Sequence, residues 1–213
     1  VVTVDTTANN LYEAYSIQDA EGAWNGIFVF GINADLERGD EITVAGTVTD
    51  YNDDWHFKWD NNTVILAEEF NVNSSGNTIN PVEVNSGDLN GDAEKVEAYE
   101  GVLVRIQNAT LVSLNSYDVT FDDGSGECLV DGDFMLSADQ DPNSKFYIND
   151  DDGYLYAFGD TVYPGEEVDM IQGIFTFSFG TYKIEVRDMD DFGEMVGINP
   201  DFLFDIHAKR IHE

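Results

Sequence analysis

Apolar and polar residues alternate with a period of two over short stretches of this chain, and the three-to-four spacing of an amphipathic helix is nearly absent. Ile42, Val44 and Val48 flank Gly46 in a β-branched run that predicts a strand. Trp55, Phe57 and Trp59 alternate with His56 and Lys58. Farther on, Phe175, Phe177 and Phe179 alternate with Thr176 and Ser178 up to a turn at Gly180-Thr181. Tyr182, Ile184 and Val186 then alternate with Lys183, Glu185 and Arg187, so the two runs predict a hairpin with its polar residues on one face. The one helix expected is an acidic stretch of about two turns, Asp92 to Tyr99. The class predicted is all-β.

The pattern also repeats. Ser16 to Gly22 echoes Thr120 to Gly126, and each precedes an apolar strand, at Gly26 to Phe30 and at Cys128 to Val130. Arg38 to Ile42 echoes Pro164 to Val168, and each leads into a glycine-bearing strand, at Gly46 and at Gly173. Two copies of one small β unit explain this order. The expected organisation is a first unit over 1–80 with an extended N-terminal strand, a linker over 81–95, a second unit over 96–192 with an acidic insertion at 132–158, and a tail over 193–213.

Tyr15-Ser16-Ile17-Gln18-Asp19, Trp24 to Val29, Gly39 to Tyr51 and Tyr99 to Arg105 together resemble the tandem OB-fold regions of secreted bacterial proteins. Such regions often accompany extracellular nucleases of the endonuclease/exonuclease/phosphatase type. The resemblance covers about residues 12 to 192 and implies two five-stranded Greek-key barrels in tandem, with extended terminal segments. It implies secretion, to the medium or the cell surface, and no activity, because the nuclease domain itself has no counterpart here. The first copy begins late, with only Val1 to Asp5 to supply its opening strand.

Charge narrows the partners. Asp and Glu number 43 against 9 Lys and Arg, a net charge of −34, and the first 94 residues hold only Arg38 and Lys58 as cations. A surface of this sign repels phosphate backbones and anionic lipid, which disfavours a nucleic-acid partner. No apolar run reaches the ~20 residues of a membrane helix. The opening Val-Val-Thr-Val-Asp lacks a basic leader, so the expectation is that any targeting peptide has been removed.

Catalytic chemistry finds no support. His56, His207 and His212 have no zinc spacing, Cys128 is the single cysteine and alternates in phase with Val130, and neither a nucleophile elbow nor a phosphate loop is present. The acidic loops are expected to hold Ca²⁺. Asp88, Asn90 and Asp92 have the spacing of three oxygen ligands, although Ala93 and Tyr99 depart from the EF-hand pattern. Further sets are Asp139 and Asp141, Asp150 and Asp152, and Asp188 and Asp190. Each is weighed against a plain solvated acidic surface, which solubility or a salty habitat also favours. Trp24, Trp55 and Trp59 are the candidate stacking platforms for a glycan, set against the reading that such residues line a barrel interior.

The ends carry the last expectation. Val1, Val2 and Val4 alternate, as do Phe202, Phe204 and Ile206, and Lys209 and Arg210 follow close behind. Such ends either fold back on their own barrels or add as strands to a neighbouring copy, and a head-to-tail addition builds an open filament. The function expected is a secreted, non-catalytic structural protein whose partners are other copies of itself, in a fibre or surface layer that Ca²⁺ stabilises. The alternative is a ligand-binding module, for oligonucleotide or glycan, serving an extracellular nuclease or hydrolase system.

Overall fold

Strands form where the β-branched and alternating runs stand, and they pair into three sheets, the two larger of which follow the same path. The structure, a computed structural model, describes residues 1–4, 14–51, 62–91, 95–132 and 146–198. In the first half, β1 (Val2–Val4), β2 (Ala14–Gln18), β3 (Gly26–Phe30), β4 (Glu41–Tyr51) and β5 (Asn62–Ser74) make one sheet in the order β1-β2-β3-β5-β4. The first three run antiparallel, β3 meets β5 in parallel with Phe28 beside Val64, and β5 returns along β4.

The second half contains β6 (Val82–Glu83), β7 (Leu103–Leu114), β8 (Asp118–Asp122) and β9 (Glu127–Asp131), then β10 (Phe146–Asn149), β11 (Tyr154–Ala157) and β12 (Asp160–Val162). It ends with β13 (Glu166–Ser178), β14 (Thr181–Glu185) and β15 (Met195–Ile198). Strands β7, β8 and β9 run antiparallel, β9 meets β14 in parallel, β14 returns along β13, and β13 closes the ring on β7 from Glu167–Thr110 to Ile174–Leu103. This is the path of the first half with closure added. The repeated glycines stand at matching places in it. A Cβ on Gly46 would lie 2.0 Å from the Leu66 carbonyl oxygen of the neighbouring strand, and one on Gly173 would lie 2.1 Å from that of Glu185. Both strands need a residue without a side chain there.

The insertion forms a small sheet, β10-β11-β12, whose Phe146, Ile148, Leu155, Ala157 and Val162 join the core of the ring. That core also holds Val104, Ile106, Leu111, Val119, Phe121, Val130, Ile171, Phe175 and Ile184. The first core is smaller, with Val2, Tyr15, Val29, Ile32 and Leu36 at its centre. The expected hairpin is present, its turn one residue earlier than predicted. Ser178 faces Thr181, and Phe179 and Gly180 both take left-handed backbone, with φ of 52° and 81°, the geometry that suits a two-residue turn between twisted strands.

Three expectations change. The helix over Asp92 to Tyr99 is, in its described part, a single 3-10 turn, Val96–Tyr99. A run of four residues is too short to repeat the helical hydrogen bond. The stretch 81–95 does not hang free: β6 extends the second sheet, Leu89 is wholly buried in its core, and Ser86 donates to Asp123 and Gly126 across the β8–β9 turn. The tail contributes β15, which pairs with the start of β13. Lys183 and Glu185, at the polar positions of the hairpin's alternation, are only 3% and 6% exposed.

If residues 81–95 belong to the second unit, Leu89→Ala destabilises the protein by ~2–5 kcal/mol, as deletion of a buried leucine side chain does. Urea denaturation followed by tyrosine and tryptophan fluorescence measures this, and a change within error would mark the segment as a loose connector.

Candidate functional site

The two halves meet face to face, and the seam carries most of the features with chemical potential. Its centre is a backbone contact. A Cβ on Gly26 of β3 would lie 2.3 Å from the carbonyl carbon and oxygen of Gly101, which itself has a φ of 73°. Around this point Phe28 packs on Leu103 and Ile174 of the ring. Polar groups caught in the seam are paired, as burial demands. Ser16 Oγ donates to the Gly101 carbonyl at 3.0 Å, and the Gln18 side chain accepts the Leu103 N–H at 2.7 Å. At the far end Arg187 Nη1 donates to the Thr3 carbonyl at 2.8 Å, and Arg38 pairs with Asp188.

Beside the seam lies a set of buried charges on the outer face of the ring. Lys183 Nζ sits 2.8 Å from Asp118 and 3.4 Å from Asp131. Burial opposes its charge, but Asp131 and Asp118 outweigh that, and its pKa is raised. Two positions along β14, Glu185 is pushed up to about 8, by burial first and then by Asp131, with Lys183 pulling the other way. Arg187 continues the row and makes a two-pronged pair with Asp191 at 2.7 Å on each prong, while Gln172 donates to the same carboxylate. Period-two alternation located this row but could not say which face a second sheet would cover.

At one end of the seam is a cleft of about 190 Å³ lined by Trp24, Gly26, Ile27, Phe28, Thr63, Glu97, Ala98 and Glu100. Trp24 is 74% exposed, and its backbone is left-handed with a φ of 67°. The loop that carries it is tied down. The Asn25 side-chain amide lies within hydrogen-bond reach of the carbonyls of Glu21, Gly22 and Ala23, and the Trp24 N–H donates across the seam to Ala98 at 2.7 Å. Glu21 in turn accepts from Asn80 at 2.6 Å. Of the three tryptophans expected as platforms, Trp24 is the one on view; Trp55 and Trp59 lie outside the described residues, with His56, His207 and His212.

Among the described residues no three or more His, Cys, Asp or Glu side chains converge as metal ligands. Asp88 accepts from Asn85 within its own turn, and Asn90 turns its amide to the Glu127 carbonyl. Asp150 accepts from Ser116, Asp152 from Asn149, and Asp188 caps the N–H of Asp190 while holding Arg38. Local hydrogen bonds take the oxygens that a cation would need. Asp92, Asp139 and Asp141 lie outside the described residues. Cys128 is buried, and burial, then Asp123 and Asp122, raise its pKa, the reverse of what activates a thiol.

The N-terminal assembly residues are placed within their own chain. Val2 is 1% exposed in the first core, its N–H donates to Asp40, and the Val1 ammonium donates to the Gln18 carbonyl. Val4 stands at the end of β1, and Phe202, Phe204, Ile206, Lys209 and Arg210 lie outside the described residues. Among the described residues the two halves differ at one edge. In the ring, the 12-residue β7 pairs on one side with β8 and on the other with β13. In the first half β1 has 3 residues, and beyond the Val2–Asp40 contact no described strand lies along the outer edge of the 11-residue β4. Val48, opposite the core-facing Ile65, is left 63% exposed.

No family model, curated protein or solved structure matches the chain. What the chain's own geometry defines is an all-β protein of several sheets, one of them closed into a ring. Among the described residues no helix is long and apolar enough to cross a membrane.

Glu185 gives the seam a pH dependence of definite sign. Its folded pKa stands at about 8 against an ordinary 4.5, so the folded protein keeps a proton that the unfolded chain gives up. The stability this group removes is nil below 4.5, grows as pH rises and is complete above about 8. The urea midpoint therefore falls between about pH 5 and about pH 8.5, and Glu185→Gln falls less over that range. Equal slopes would show that Glu185 is ionised in the fold. Lys183→Met leaves Asp118 and Asp131 buried without their cation and destabilises by ~3–5 kcal/mol in the same assay.

Proposed function

We propose that the chain is a non-catalytic structural protein, built of two OB-folds in tandem, that assembles head to tail into an extracellular fibre or surface layer. The observation that carries this reading is that, among the described residues, no strand lies along the outer edge of β4 in the first half, beside a ring that is closed in the second. The OB-fold part is supported by the shared strand path, in which a three-stranded meander is joined in parallel to the last strand and that strand returns along the fourth. An edge along which no described strand runs, with Val48 exposed on it, is a template for strand addition.

The strand added is the C-terminal segment of a second copy, where Phe202, Phe204 and Ile206 alternate and Lys209 and Arg210 supply cations. The donor and acceptor lie at opposite ends of the sequence, so the contact repeats without closing. A polymer of chains with a net charge of −34 needs counter-ions, and Ca²⁺ bridging acidic loops of adjacent copies is the form this takes.

Electron microscopy of the concentrated protein, with Ca²⁺ and after chelation, tests the proposal. Filaments are expected with Ca²⁺ and shorter ones without it. Removing residues 199–213, or placing a charge on the edge with Val48→Lys, lowers the association constant at least about tenfold, a loss of ~1.4 kcal/mol per contact. Discrete monomers of the intact chain under all these conditions would refute assembly.

A further inference from the structure

A lysine buried beside a carboxylate is ordinarily an ion pair and nothing more. The group on the outer face of the ring differs in what surrounds the nitrogen. Lys183 Nζ lies 2.8 Å from Asp118 Oδ1 and 3.4 Å from Asp131 Oδ2, so one amine faces two carboxylates. The side chains of Lys183 and Asp131 are each 4% exposed, and that of Asp118 is 14% exposed. Burial penalises charge in this patch, and it is the first cause that pushes Glu185, two positions along β14, up to about 8.

The backbone fixes the geometry. Asp118 stands opposite Asp131 in the β8–β9 ladder, and Val130 meets Ile184 where β9 runs beside β14. Asp118 is thereby held two strands from Lys183, with Asp131 on the strand between them. The Asn115 side chain accepts the Asp118 N–H at 2.9 Å, and the Asn115 N–H donates to the Asp118 carbonyl at 3.0 Å. A nitrogen 2.8 Å from a carboxylate oxygen needs only a small torsional shift to bring the carboxyl carbon within the ~3–3.5 Å of a reactive approach.

Such a pair can condense. Burial works against the Lys183 charge, but Asp131 and Asp118 outweigh it and raise the pKa, so the resting pair is ionic. Asp131 takes a proton from the ammonium and leaves a neutral amine, an exchange that costs less in a site poor in water than in bulk solvent. The nitrogen lone pair then bonds to Cγ of Asp118. One Asp118 oxygen collects the two protons that leave nitrogen, relayed by Asp131, and departs as water with the electron pair of its C–O bond. The three ammonium protons end as one on the amide nitrogen and two on water, and nothing is oxidised or reduced. Asp131 remains as acceptor for the amide N–H. One turnover in the lifetime of a molecule suffices, so a minor neutral population is enough.

We propose that Lys183 and Asp118 join in a self-formed isopeptide bond, a covalent brace between β14 and β8, with Asp131 as the proton relay. The brace spans the parallel β9–β14 contact, where Ile184 is in register with Val130, and it ties together residues 65 apart in sequence. It goes beyond the structural role proposed above and does not depend on it, since every group lies within one chain.

Mass spectrometry of the full chain, after unfolding, tests it. The mass is expected to fall short of the sequence by one water, and digestion is expected to release a branched peptide with Lys183 joined to Asp118. Lys183→Arg keeps a cation but lacks the amine, and Asp118→Ala lacks the acyl carbon, so both are expected at full mass. Asp131→Asn keeps the shape and loses the relay, and the freshly purified variant is expected to hold at least about tenfold less cross-linked chain. Circular dichroism verifies that the variants are folded, and the wild-type peptide map decides the matter if any is not. Full mass in the wild-type chain overturns the proposal, as does a water loss that persists in Lys183→Arg. A water loss that maps to a succinimide at Asp123-Gly124, Asp131-Gly132 or Asp152-Gly153 overturns it too. A branch at Asp131 in place of Asp118 overturns the assignment of roles.

Discussion

The close approach of Gly26 to Gly101 is the constraint from which the rest of the seam follows. Two sheets meeting through side chains keep ~10 Å between them, whereas these two backbones touch. Such contact leaves no room for water, so Ser16 and Gln18, on the strand next to Gly26, had to find partners on the other half, and they take the Gly101 carbonyl and the Leu103 N–H. The same approach covers the outside of β13, which is why Ile171 to Thr176 are buried without interruption, in a strand with one face on a core and the other on a neighbour. It also brings Ala98 within reach of the Trp24 N–H.

How much of this could be read from the residues differs by feature. The all-β class, the repeat and the β13–β14 hairpin stood in the alternation and in the paired glycines, because pleat and turn geometry are local properties. What the pattern could not contain is any fact about the second sheet that each sheet packs against. Lys183 and Glu185 occupy polar positions of a regular alternation, and the alternation by itself does not distinguish a buried polar face from a wet one. The acidic spacing is ambiguous for a related reason. Asp-x-Asn and Asp-x-Asp suit turns that close on their own backbone as well as they suit cations, and Asp88, Asp152 and Asp188 are engaged in such turns.

Cations are scarce, and their placement is correspondingly selective. Among the described residues, Arg38, Arg105, Lys183 and Arg187 are paired with carboxylates of this chain, and Arg38 and Arg187 link elements far apart in sequence. The positive charge thus acts as internal cross-linking more than as surface. Arg187 shows why arginine stands there, since its fork holds Asp191 with two donors and leaves a third for the Thr3 carbonyl.

Ring closure by β13 on β7 has a bearing on how the protein comes into being. The pairs from Glu167–Thr110 to Ile174–Leu103 join segments separated by the whole of β8 to β12, a topology that folds slowly because a long loop must close before any bond of the ladder forms. On the ribosome, the first half emerges while its partner surface does not yet exist, and Phe28 has neither Leu103 nor Ile174 to lie against. The nascent chain therefore passes through a stage with an uncovered apolar face and an unclosed sheet, and the dense negative charge of its loops is what keeps two such chains apart until the ring is made.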